Sequence, residues 1–387
     1  MRLFLTDKIL KNAGVRMNFK NIIKDSIINI QDRHIIRVRR NYETNKFKDI
    51  RRENIFKTIE LTEDNKKQID DLYISNYGER VPYTWHRHYT AFTGRFDAAY
   101  FPELLYIPEF EYFMNEKRQY QDVFDNKNVL AMIAGGVGVK MPKTIFSAAN
   151  GILRDSEYNI TDLSTIRKNL TRGVYFAKPA VETGSGKGCF LLNSDSDSFK
   201  KEIQTLGKDF VIQERISCSK SISMLYPRSV NTFRIMTYIW DNRIEIVPVV
   251  LRIGQGNAFL DNAHAGGMFI AVNNDGTLHK KAFTEFKDEF AVHPDSHIRF
   301  DGYKIDNLSK VIKSAKRMHS AIPQLGVINW DFTIGEDEEP ILIEANTSAG
   351  GIWIFQMAWG CGPFGKRTAE ILRWIREQKN TPKNKRR

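Results

Sequence analysis

The chain has 387 residues, 42% of them hydrophobic and 12% aromatic, which is ordinary for a globular protein and long enough for roughly two or three domains with a sizeable core. Its cysteines, Cys189, Cys218 and Cys361, share no C-x-x-C spacing, which argues against a disulfide framework or a structural zinc site and suits buried thiols in a reducing cytoplasm. The formal net charge of +12 attracts anions, but no nucleic-acid module or stacking aromatics accompany the basic runs, so no nucleic-acid partner is expected.

At the start of the chain, Arg2, Asp7 and Lys8 come too early for a signal-peptide core, and no apolar run approaches the ~20 residues of a membrane span. Residues 1–76 form a basic segment with apolar residues at mixed helical spacing (Ile22, Ile23, Ile27, Ile30), expected to be a mostly helical extension. Arg33, Arg37, Arg39, Arg40, Lys46, Lys48, Arg51 and Arg52 crowd one stretch of it. The plainer reading is a solvated helix face; the functional one is peripheral docking on the anionic inner face of a membrane. Residues 77–140 read as an aromatic-rich, helical or mixed domain. Within it Tyr83-Thr84-Trp85-His86-Arg87-His88-Tyr89 is either a sugar-stacking surface or, more plainly, a packed seam.

Residues 141–216 form a first lobe. Gly173 to Pro179 is a short apolar strand ending in Lys178; Glu182-Thr183-Gly184-Ser185-Gly186-Lys187-Gly188 follows, then the apolar run Cys189 to Leu192. Alternate glycines between two strands let backbone N–H groups approach an anion, with Lys178 and Lys187 adding charge. No helix follows, so this is neither a Walker loop nor a dinucleotide fingerprint, and a plain hairpin turn is the competing reading. Phe210 to Ile216 is a further apolar strand.

Residues 217–374 form a second lobe, and 375–387 a basic, solvated tail. The second lobe alternates strands at Arg234 to Tyr238, Ile244 to Ile253 and Met268 to Val272 with one amphipathic helix through Leu308, Val311, Ile312, Ala315 and Met318. Val327 to Ile334 and Ile341 to Thr347 flank a polar turn and predict a hairpin. A turn centred between Asp337 and Glu338 sets Asp331 opposite Glu344, and Asn346 shares the face of Glu344. Like charges directly opposite in a ladder are destabilising. Two carboxylates and an amide on one face suit a hard cation such as Mg²⁺ with phosphate oxygens completing its shell, or, more blandly, a solvated face.

In this order, the Gly-rich loop and the carboxylate hairpin resemble the ATP-grasp superfamily. With Phe210-Val211-Ile212-Gln213-Glu214-Arg215-Ile216, Ser229-Val230-Asn231-Thr232-Phe233-Arg234, Asp261-Asn262-Ala263-His264-Ala265-Gly266-Gly267 and Asn329-Trp330-Asp331, the set is similar to the sugar-transfer-associated ATP-grasp family of bacterial surface-polysaccharide biosynthesis. The similarity runs from about Leu130 to about Gly365 and does not reach residues 1–76. It implies an α/β (α+β) fold whose two lobes clasp ATP. Asp125-Asn126-Lys127 resembles the D-x-K lead-in to such a module; Lys127 either reaches phosphate or, more plainly, sits on the surface.

The resemblance implies roles. Lys178, Glu182, Ser185, Gly186 and Lys187 would meet the nucleotide phosphates. Gln213 and Ile216 would hold adenine through backbone groups, with Arg215 in the same hinge, and Glu214 would face either ribose or solvent. Asp331, Glu344 and Asn346 would hold two Mg²⁺ ions, with Mn²⁺ as the alternative. Arg234 and Arg252 would meet phosphate or a carboxylate substrate. Asp261 and Asn262 are site residues or a turn, and His264 is catalytic, substrate-contacting or structural. Several ligases of the superfamily carry an arginine where this chain has Asn329, so the acyl-phosphate charge would fall to Arg234 or Arg252. The implied activity is an ATP-dependent carboxylate–amine ligase joining a uronic acid or glycan carboxylate to an amino acid or amino alcohol, or the reverse pairing. A sugar kinase and a non-catalytic nucleotide-binding partner of a glycosyltransferase are the alternatives.

Overall fold

Five short apolar runs between residues 144 and 214 pair into one antiparallel sheet. The computed structural model describes residues 16–181, 186–383 and 386, with side chains from residue 30 onward. The first sheet has the order β2-β1-β5-β3-β4, where β1 is Thr144–Ala149, β2 Ile152–Asp155, β3 Val174–Pro179, β4 Phe190–Asn193 and β5 Phe210–Glu214. β5 lies between β1 and β3, and its continuous apolar run is buried up to Gln213.

The second sheet has the order β11-β10-β9-β8-β6-β12-β13, with β7 also paired to β6. Its strands are β6 (Thr232–Trp240), β7 (Arg243–Ile246), β8 (Val250–Ile253), β9 (Met268–Ala271), β10 (Ala282–Phe283), β11 (Glu289–Phe290), β12 (Val327–Ile334) and β13 (Pro340–Asn346). The strand expected over residues 244–253 is two strands, β7 and β8. Pro248 sits in the break, where its missing N–H cannot join a ladder. Every residue of β12 is buried, because β6 and β13 flank it and the amphipathic helix Leu308–Ala321 packs against it through Leu308, Val311, Ala315 and Met318. The fold is α+β, as the motifs imply.

Helices build the N-terminal part. α1 is Arg16–Asn45 and α2 Ile50–Lys57, the latter capped by Asp49, which accepts from the Arg51 N–H. α3 (Glu63–Asn76) opens on a capping box between Thr62 and Asn65, and α4 (Thr84–Thr93) ends at Gly94 in the left-handed conformation. These helices share one apolar core with the second sheet: Ile55, Tyr73, Trp85 and Tyr89 pack in one cluster with Met236, Phe269 and Ile354. The aromatic stretch 83–89 is a packed seam, with Trp85, His86, His88 and Tyr89 all buried.

The basic segment corrects the reading of one solvated face. Arg33, Arg37, Lys48 and Arg51 are exposed, but Arg40 reaches the buried carboxylate of Glu109 at 2.8 Å and Arg52 reaches Glu285 at 2.5 Å. The C-terminal tail is likewise not simply solvated. The helix Thr368–Asn380 carries Lys379 onto the Tyr77 hydroxyl at 2.7 Å, and Arg386 pairs with the buried Asp32 at 2.7 Å; Lys385 and Arg387 lie outside the described residues. No helix among the described residues is long and apolar enough to cross a membrane.

Glu109 has no exposed side-chain surface, and burial, outweighing Lys379 and Arg40, holds its carboxyl above the ordinary value. Arg40→Met removes one charged hydrogen bond to it while keeping the apolar stem. We expect a loss of about 2 kcal/mol of unfolding free energy in urea titrations. An unchanged midpoint would show that Lys379 and Tyr77 suffice.

Candidate functional site

The hairpin of β12 and β13 sets the site. Asn329 pairs with Asn346, Trp330 with Ala345 and Asp331 with Glu344, as the sequence predicts. The turn is one half-step off: it centres on Asp337, since Ile334 pairs with Pro340. A bulge after Asp331 restores the register, because Phe332 already faces Leu342 and Ile343 is the extra residue. Ile343 and Glu344 consequently both line a cleft of about 970 Å³ that also takes residues from the first sheet.

Asp331 is buried among arginines. Arg234 stands opposite it in the β6–β12 ladder with Nε 2.9 Å from Oδ1, and Arg252 Nη2 lies 3.0 Å from Oδ2. Arg252 also donates to the Thr232 hydroxyl from Nε and Nη2 (3.0 and 2.7 Å) and lies 3.4 Å from Asp261, whose Oδ2 accepts from the Thr232 N–H at 2.8 Å. Asp261 is therefore more than a turn residue. Two arginines balance two aspartates here, which leaves Glu344 as the extra carboxylate. Lys127 Nζ is 3.9 Å from it, and the charges of Lys127 and Lys178 act on it. Burial pushes the Asp331 carboxyl up, with Glu344 adding to the rise against Arg234 and Arg252. Burial would raise Glu344 too, but Lys127, a hydrogen bond with Asp331 and Lys178 hold it low.

A divalent cation fits this chemistry in part. Glu344 keeps a quarter of its side-chain surface and Asn346 also lines the cleft, where its amide oxygen could serve a cation and its buried Nδ2, a donor without a hydrogen-bond partner, could meet a phosphate oxygen. Arg252 donates to Asp331 Oδ2, whereas Oδ1 lies 2.9 Å from Arg234 Nε but is buried without a hydrogen bond. No group of three or more His, Cys, Asp or Glu among the described residues makes a complete metal cage. Such a set suits Mg²⁺, which keeps water and substrate phosphate oxygens in its shell.

The other predicted residues divide. Lys178, at the end of β3, is buried and lines the cleft. Lys127 corrects the surface reading: it is 5% exposed at the start of the helix Lys127–Gly136, its N–H held by Ala180 O at 2.8 Å. Gly186 lines the cleft at φ +75°, where a Cβ would fall 2.5 Å from Leu260 Cδ1, so this end of the loop packs against the second lobe. Lys187 is exposed and is not a lining residue; Glu182 and Ser185 lie outside the described residues. Gln213 sits in an interior strand, paired on both sides, with its side chain donating to Pro142 O at 3.2 Å. The Glu214 N–H is engaged by Lys143 O at 2.9 Å, and its carboxylate lies 3.5 Å from Lys143 Nζ. Arg215 and Ile216, past the strand, line the cleft. Asn262 accepts from the His264 N–H at 2.9 Å, and His264 Nδ1 lies 2.7 Å from Glu285, which Arg52 also holds.

Some lining residues carry no readable signal in the sequence: Tyr42, Lys46, Arg52 and Glu103 belong to the N-terminal helical part. The 348–351 segment is fixed by Glu111, which accepts from the N–H groups of Ala349 (2.9 Å) and Gly350 (3.3 Å). A Cβ on Gly350 would fall 2.4 Å from Asn329 Nδ2, so the neutral Asn329 is packed beneath this segment.

Burial pushes Glu111 up to about 7 against the pull of those two N–H groups. A carboxyl raised by folding contributes stability that is complete below its ordinary value of 4.5 and is lost as pH rises through about 7. Glu111→Gln should therefore flatten the decline in stability across that window, measured by urea unfolding at several pH values. Parallel curves for the two proteins would remove Glu111 as the cause.

A family model described as sugar-transfer-associated ATP-grasp matches residues 107–371. No curated protein matches the chain. Among solved structures, the D-Ala:D-Ser ligase VanG from Enterococcus faecalis is similar at TM-score 0.42 and 15% identity, over 66% of this chain and 62% of that one. The D-alanyl-alanine synthetase A from Vibrio cholerae gives 0.41 and 14%, over 66% and 64%. The L-amino acid ligase from Bacillus licheniformis gives 0.36 and 12%, over 63% and 48%. The chain thus spans less than two thirds of each of these proteins.

Proposed function

The chain belongs to the sugar-transfer-associated ATP-grasp family, and on that footing we propose that it is an ATP- and Mg²⁺-dependent carboxylate–amine ligase that modifies a surface polysaccharide or its sugar precursor. One observation supports the reading above others. The opposed carboxylates Asp331 and Glu344 meet Lys127 and Lys178 and the arginines Arg234 and Arg252 in a single cleft.

Lys127 and Lys178 would hold the nucleotide phosphates, and the 215–216 segment beyond β5 would meet adenine. Glu344 and Asn346, with Asp331, would hold Mg²⁺, which when bound supplies positive charge to the β- and γ-phosphate oxygens. The γ-phosphoryl group passes to a substrate carboxylate oxygen as its bond to ADP breaks, giving an acyl phosphate. The amine nitrogen then attacks the carbonyl carbon, phosphate leaves, and the nitrogen loses a proton. Arg234 and Arg252 would balance the charge that develops on the transferred group, the task an arginine at position 329 would otherwise share. The Gly-rich loop would exclude water from the acyl phosphate. A uronic acid with an amino acid or amino alcohol, or the reverse pairing, fits the family's polysaccharide context. The same proposal includes a glycosyltransferase partner and a peripheral membrane contact through the exposed arginines of α1.

A sugar kinase has one observation in its favour. His264 lines the cleft with Glu285 behind it at 2.7 Å, and the pair has the form of a general base for a hydroxyl acceptor. Asp261 is less suited to that role, being engaged by Arg252 and Thr232.

The test is ATP turnover with Mg²⁺ and pooled sugar acids and amines, followed by ³¹P NMR and mass spectrometry. We expect phosphate only when acid and amine are both present, and a product lighter by one water. A stable phosphorylated sugar without amine would establish the kinase instead. Glu344→Gln should lower turnover by roughly 100-fold or more, within the range for loss of one electrostatic group. It is a cleaner probe than Asp331→Asn, which would also strip two buried arginines of a partner.

A further inference from the structure

The family match begins at residue 107, yet Tyr42, Lys46, Arg52 and Glu103 line the same cleft as Asp331 and Glu344. Charge at this end is unbalanced. Arg52 is engaged by Glu285, which also meets His264. Lys46 is engaged by Glu43 at 2.7 Å. Glu103 remains: it is 3% exposed, its Oε1 is buried without a hydrogen-bond partner, and it makes no ion pair within 4 Å among the described residues. A buried carboxylate oxygen without a partner carries a large desolvation cost.

The neighbours register the imbalance. Burial, with the nearby Glu103 charge, pushes Glu43 up to about 7. Burial would lower the Lys46 ammonium, but Glu103 and Glu43 outweigh it and hold it above its ordinary value. Two carboxylates share one ammonium, so there is room for one more positive charge. A divalent metal is a poor occupant, because it needs several oxygens, and the second carboxylate here, Glu43, already faces the Lys46 ammonium at 2.7 Å. A primary ammonium needs one carboxylate and a few acceptors. Glu103 lines the cleft beside Gly351, where a Cβ would fall 3.1 Å from Glu103 Oε1 and 2.6 Å from Trp353 Cδ1, so any side chain at 351 would crowd this corner.

We propose that the N-terminal segment builds the acceptor end of the cleft and that Glu103 receives the ammonium of the amine substrate. This deepens the ligase reading and rests on it for the word substrate, but the binding itself does not require turnover. Amino acids, amino sugars and amino alcohols share the ammonium, so glycine, glucosamine and ethanolamine serve as separate probes.

The experiment is isothermal titration of each amine into the full chain saturated with Mg²⁺ and adenylyl imidodiphosphate. We expect at least one amine to bind, and Glu103→Gln to weaken it roughly tenfold or more, the value of one charge-assisted hydrogen bond, with affinity for the nucleotide analogue unchanged. Lys46→Gln removes the resident competing ammonium and should tighten the same amine, which a merely structural role for the cluster would not produce. Equal amine affinity in wild type and Glu103→Gln overturns the proposal, as does failure of all three amines to bind the wild type. If Glu103→Gln does not fold, an unchanged or weaker affinity in Lys46→Gln overturns it alone. A wild type that binds amine through Glu103 yet never forms an amide keeps the subsite and removes the ligase.

Discussion

Two carboxylates held opposite each other inside protein are the constraint around which this molecule is arranged. Asp331 and Glu344 stand across one ladder step, and Asp331 has no exposed side-chain surface. Repulsion at that distance in a low-dielectric interior cannot be left uncompensated. The second sheet answers on one side, with Arg234 from β6 and Arg252 from β8 on the Asp331 oxygens. Glu344 is answered from elsewhere, by Lys127 before the first sheet and Lys178 at the end of β3. The first lobe is thereby tied electrostatically to the second through a carboxylate that keeps a quarter of its side-chain surface. Lys127 and Lys178 both line this end of the cleft, and cationic side chains there favour an anionic ligand.

The N-terminal helices enter that arrangement as walls. Their aromatic side chains share a core with the second sheet, so they are held rigidly enough to place charges. Arg40 is drawn to buried Glu109, Arg52 to Glu285, and Lys46 to Glu43. The cleft therefore has two electrostatic characters: basic around Glu344, acidic around Glu103. A reaction that begins on a triphosphate and ends on an amine has use for both.

Much of this was legible from the chain. Period-two alternation and the turn between the runs placed Asp331 against Glu344, and apolar spacing placed the helix over residues 308–321. The bulge at Ile343 was not legible, because the count across the turn came out right by two compensating half-steps. The sequence leaves Lys127 between a phosphate contact and a surface lysine; only the fold shows the helix start tucked against Ala180. Tyr42, Lys46, Arg52 and Glu103 lie far in sequence from the cleft motifs and follow no spacing rule, since tertiary packing alone brings helix surfaces to a site. Pro248 did signal the break between β7 and β8, and a strict reading of proline in strands would have found it.

The most direct measurement is the affinity of the full chain for adenylyl imidodiphosphate with and without Mg²⁺, in wild type and Glu344→Gln. If the opposed carboxylates exist to hold a cation against phosphate, Mg²⁺ should tighten wild-type binding by roughly tenfold or more, and the tightening should vanish in the variant. Equal affinity with and without Mg²⁺, or the same tightening in both proteins, would contradict the account.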